Sequence, residues 1–114
     1  MRTLDRAALW ENVDGDVALL AEIVAVFLDT SPALVDDVRS AVAAGSATSL
    51  HAAAHRLRGA LLNLGAEAAA GAVRELERMG REGDLGRARE ALDALDGEMS
   101  LLRTELTRVA GAPR

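Results

Sequence analysis

The sequence predicts an all-α fold: an up-and-down antiparallel four-helix bundle with a short additional N-terminal helix. Three observations carry that expectation. Half of the residues are hydrophobic and the only aromatic residues are Trp10 and Phe27, a balance that favours helices over strands. Apolar residues recur at steps of three and four along four long stretches. Gly45, Gly65 and Gly83 separate those stretches. Connections that short require antiparallel neighbours.

The elements follow in order. Thr3 to Trp10 is a short helix candidate, capped by Thr3, with Leu4, Ala8 and Trp10 directed inward. Asn12-Val13-Asp14-Gly15 is a turn sequence, after which Asp16 caps a long helix. In that helix Leu20, Ile23, Val24, Phe27, Ser31, Leu34, Val35, Val38 and Val42 keep one helical phase across Pro32. Proline removes a backbone donor and crowds the preceding turn. Either one helix kinks there, or Ser31 caps a new helix with Pro32 in its first position. The unbroken phase favours one kinked helix, ended by Gly45. Ser46 caps the next helix, which stops at Asn63 or Leu64, with Gly65 suited to the left-handed closing conformation. Ala66 to Glu82 forms the following helix, with Ala69, Ala72, Val73, Leu76 and Met79 inward and Gly83 closing it. Asp84 opens the last helix. There Leu85, Ala88, Leu92, Leu95, Met99, Leu102, Leu106 and Val109 alternate by threes and fours as a bundle seam. Gly97 lies off that seam, and residues 111–114 read as a frayed tail.

The 114 residues suit a single domain spanning 1–114. A chain of this size buries roughly two thirds of its unfolded surface, enough for a core without staples. Cysteine is absent, which excludes disulfides, thiol nucleophiles and thiolate metal sites and points to the cytoplasm. The net charge of −5 argues against a nucleic-acid partner. No run of about 18 uninterrupted apolar residues suggests a membrane span. The N-terminus lacks the apolar block and cleavage site of a signal peptide. The charge is unevenly spread: Val38 to Ala66 contains no Asp or Glu, yet holds Arg39, Arg56, Arg58 and both histidines. An acidic protein thus keeps a non-acidic stretch suited to an anionic group or an acidic partner site.

That stretch includes the residues best placed for chemistry. Leu50, Ala54, Leu57, Leu61 and Leu64 form the apolar stripe of its helix, while His51, His55, Arg58 and Leu62 share another face. At about 100° per residue, His55 is rotated about 160° from Leu57 and points away from the core. Gly59, one turn further on, leaves bare backbone beside the imidazole. Neutral imidazole is available near pH 7 and its nitrogen can attack phosphorus. His51 and His55 have a chelating spacing, but no carboxylate or thiol on that face completes a first shell, and Ala52 stands where a zincin would carry Glu. No metal is expected, and His51 is read as a rim residue.

Ala54-His55-Arg56-Leu57-Arg58-Gly59, then Asn63-Leu64-Gly65-Ala66 and Leu76-Glu77, resembles a histidine-containing phosphotransfer (HPt) domain. The resemblance extends over nearly the whole chain, including the Gly15-Asp16 start of the long helix and Phe27-Leu28. It implies a helical bundle that carries a phosphoryl group on one histidine, exchanging it with the aspartate of response-regulator receiver domains. By that resemblance His55 is the phospho-accepting residue. Arg58 balances phosphoryl charge, and Glu77, 22 residues after His55, orients the imidazole. His51, Arg56, Gly59 and Leu62 would meet the partner. The family usually has Lys where this chain has Arg58, and all 13 basic residues here are Arg. The implied partners are receiver domains and a hybrid histidine kinase. No cofactor is expected on this chain; Mg belongs to the receiver. With no nucleotide-binding Gly-rich loop and no Lys, a phosphoryl carrier is expected rather than an enzyme with its own turnover. The alternative is a helical adaptor, or a degenerate relative that docks receivers without transfer.

Overall fold

The computed structural model describes residues 1–111. Five helices follow one another: α1 (Arg6–Asn12), α2 (Val17–Ala44), α3 (Ala47–Leu64), α4 (Glu67–Glu82) and α5 (Ala88–Gly111). Helices α2 to α5 form an antiparallel ring in which each packs on two neighbours, α3 against α4 most extensively. The bundle measures 44 × 24 × 19 Å.

Its core is the expected stripes brought together. Leu20, Val24, Phe27, Val35 and Val38 enter from α2, and Leu50, Leu57, Leu61 and Leu64 from α3. Val73, Leu76 and Met79 enter from α4, and the seam from Ala88 to Val109 from α5. Helix α2 runs unbroken through Pro32. It is long and apolar enough to cross a membrane by length and composition, but its Leu20-to-Ala41 stripe is its share of this core. The stops are as expected. Gly45, Gly65 and Gly83 take φ of 65°, 79° and 72° as left-handed caps of α2, α3 and α4. The side chains of Asp16 and Ser46 accept from the Leu19 and Ser49 amides at the starts of α2 and α3.

Two helix starts differ from expectation. The first helix begins at Arg6, and Asp5 rather than Thr3 caps it by accepting from the Ala8 amide. The preceding residues are held against the α3–α4 corner instead: the Asp5 amide donates to the Gly65 carbonyl, and the Ala68 amide to the Arg2 carbonyl. With Asn12 Nδ2 donating to the Asn63 carbonyl and Arg6 paired to Glu105, α1 closes that end of the bundle. The last helix begins at Ala88, not Asp84. The Asp84 carboxylate accepts from the Gly86 amide, and this local turn delays the helix. Helix α5 continues through Gly111; the rest of the expected tail, 112–114, lies outside the described residues.

Candidate functional site

Helix α3 carries the site, and its phase decides which residues emerge. Leu57 is fully buried, while the His55 side chain, near mid-helix, is 62% exposed. Glu77 arrives from α4, where Val73, Leu76 and Gly80 face the same core. It is one of two buried polar or charged side chains among the described residues, the other being Ser31.

Both Glu77 oxygens are used. His55 Nδ1 lies 3.0 Å from Oε2, and Arg58 Nη1 donates to Oε1 at 2.5 Å. An ionised carboxylate only accepts, so the hydrogen of this pair belongs to Nδ1. Arg58 Nη2 also lies 3.4 Å from Nδ1. Two donors facing one carboxylate are close neighbours there, not partners. The tautomer follows: Nδ1 carries the proton, Nε2 keeps its lone pair, and among the described residues Nε2 has no hydrogen-bond partner. A buried carboxylate needs compensating partners. Arg58 supplies a full charge and His55 a directed N–H.

The remaining expected residues lie around this pair. Arg58 is drawn toward Glu77 and only partly exposed, so its guanidinium serves the buried carboxylate as well as the outer surface. The His51 ring stacks beside His55, with centroids 6.4 Å apart and planes 22° apart. Gly59 is exposed, and a side chain there would meet nothing within 4 Å. Leu62 is exposed on the next turn. Arg56 leans the other way, toward Asp37 of α2 at 3.8 Å. The non-acidic stretch is therefore flanked by acids from other helices, one directly beneath His55. Among the described residues, no group of three or more His, Cys, Asp or Glu side chains could hold a metal ion.

Sequence reasoning missed an apolar groove between α2 and α3, lined by Leu19, Ile23, Val26, Phe27, Ala60 and Leu64. Leu19 and Val26 are exposed at its edge. Both fall off the Leu20–Val24–Phe27 phase, and apolar residues left off the buried stripe were the available clue.

The sequence matches the Hpt domain family over residues 22–112. The chain belongs to the Hpt domain family. The fold agrees: it superposes on the crystal structure of histidine-containing phosphotransfer protein B from Pseudomonas aeruginosa with a TM-score of 0.90. That likeness covers 98% of this chain and 97% of the other at 26% sequence identity. A search of curated proteins gives no match. Hpt domains are phosphocarriers of two-component phosphorelays and interact with response regulators, and the helical bundle described above is their fold.

Proposed function

We propose that this Hpt domain accepts a phosphoryl group on Nε2 of His55 from the aspartyl phosphate of a receiver domain and passes it to another receiver. The observation that carries the proposal is the buried Glu77 carboxylate on Nδ1, which leaves Nε2 of the exposed imidazole as the nucleophilic atom. In the transfer, the Nε2 lone pair attacks phosphorus, the N–P bond forms, and the bond from phosphorus to the aspartate oxygen breaks. The carboxylate leaves on the receiver. The imidazole becomes cationic as it is phosphorylated, and Glu77 stabilises that charge through the Nδ1–H it already holds. Arg58, on the same carboxylate, places a positive charge one turn from the incoming phosphoryl group.

The receiver contributes Mg and the aspartate; this chain contributes the imidazole and its setting. Receiver domains are the proposed partners, with a hybrid histidine kinase upstream, in the cytoplasm. His51, Gly59 and Leu62 line the approach to His55, with Arg56 at the margin. Exposed Leu19 and Val26 offer apolar contact on the α2 side. Incubation with phosphorylated candidate receivers tests the reading. Label should move to this chain in an acid-labile, base-stable form, as a phosphoramidate requires. Receivers that bind the chain yet never label it would leave a docking adaptor.

A further inference from the structure

A close backbone approach beside the site involves a residue with no side chain. Gly80 lies on α4, one turn beyond Glu77, and is buried against α3. A Cβ at Gly80 would sit 2.6 Å from the His51 nitrogen, 2.8 Å from the Ala47 carbonyl oxygen and 2.9 Å from the His51 Cα. These atoms belong to the α3 backbone and cannot rotate aside. They sit one turn before His55, and α4 runs antiparallel to α3. The Gly80 contact and the Glu77–His55 hydrogen bond are therefore successive rungs between the same two helices.

We propose that Gly80 is a positioning residue: by letting α4 rest on the Ala47–His51 backbone, it sets the helix separation at which Glu77 reaches Nδ1 of His55. Helix propensity makes the point sharper, because glycine is among the poorest residues in a helix interior. Gly97 and Gly59 have open space where a side chain would go, whereas Gly80 has none. Any side chain there must open the α3–α4 gap by the better part of an ångström. The hydrogen bond one turn away measures 3.0 Å, and an opening of that size takes it beyond useful reach. Nδ1 then loses its fixed acceptor, and the proton is free to move to Nε2, where it blocks the lone pair. The link to transfer rests on the proposed role of His55; the link to the tautomer does not.

The test is the tautomer of His55, read by ¹⁵N–¹H long-range correlation NMR on the full chain without any phosphoryl donor. The native protein should show Nδ1 protonated and Nε2 bare. Glu77→Ala should abolish that preference, and Gly80→Ala should do the same with Glu77 still present. Gly97→Ala, at an open helix position, should leave the tautomer unchanged. In a separate labelling assay Gly80→Ala should slow transfer roughly ten- to hundredfold, the scale of a misplacement near 1 Å. A folded Gly80→Ala protein with the native tautomer overturns the proposal, as does a Glu77→Ala protein that keeps it. If Gly80→Ala fails to fold, it is remade with the helix-strengthening Gly97→Ala. Failure to fold even then makes Gly80 a folding residue and overturns the positioning role. Native tautomers without labelling by any receiver would count against the carrier reading and leave the Gly80 geometry standing.

Discussion

At His55 the division of labour between two ring nitrogens is set by one buried carboxylate. Glu77 lies under the imidazole with one oxygen on Nδ1 and the other on Arg58. Arg58 thus has two consequences when changed. Arg58→Ala leaves Glu77 with His55 alone, and loss of a charged partner from a buried group costs about 1–3 kcal/mol. It should also slow phosphotransfer, because the charge proposed to sit near the phosphoryl group is gone. Arg58→Lys keeps a positive charge but not the planar fork. Its transfer rate should lie nearer to wild type than that of Arg58→Ala, with thermal unfolding and labelling kinetics as the two measurements. Equal rates for Arg58→Ala and wild type would remove the residue from the mechanism. The His55 face was legible in the sequence because two residues of helical twist separate it from Leu57. The route of Arg58 to Glu77 was not, because it depends on how deeply Glu77 is buried between two helices.

Helix α3 combines a packed inner face with an exposed outer face. Gly59 lies on the outer face with nothing within 4 Å of a would-be Cβ. Gly59→Leu should therefore raise stability by up to about 1 kcal/mol through helix propensity. It should also reduce transfer, because the proposed transfer brings a receiver close beside His55. The two quantities moving in opposite directions, by calorimetry and by labelling, mark a docking constraint; undiminished transfer would contradict it. The elements themselves were largely readable. The α5 seam, the Asp16 and Ser46 caps and the three left-handed glycines depend on local pattern and backbone chemistry. The misplaced starts of α1 and α5 have a different origin. Thr3, Asp5 and Asp84 are all capable caps, and the choice among them is made by hydrogen bonds to the α3–α4 corner and by the Asp84–Gly86 turn. Gly80 was unreadable for a related reason: close approach is a property of two helices together, and its spacing along α4 carries no mark of it.

For the whole molecule, the bundle is the mount and the α3–α4 edge is where the proposed chemistry lies. Leu102 is fully buried in α5, which packs on α2 and α4 rather than carrying the site. Leu102→Ala should cost about 2–5 kcal/mol of stability. At temperatures where the variant remains folded, its transfer rate should stay close to wild type; a large loss there would mean that the site depends on the distant core. In the proposed mechanism the carrier function comes down to one atom on one side chain. His51 and His55 stack together and share the exposed face, yet only His55 has a buried carboxylate on Nδ1 and Arg58 one turn on. The most direct measurement is labelling of His55→Gln and His51→Gln by a phosphorylated receiver that labels the wild type. Glutamine sustains the helix in both. His55→Gln should take up no label, and His51→Gln should take it up with at most a modest change in rate. Label retained by His55→Gln and lost from His51→Gln would contradict the account.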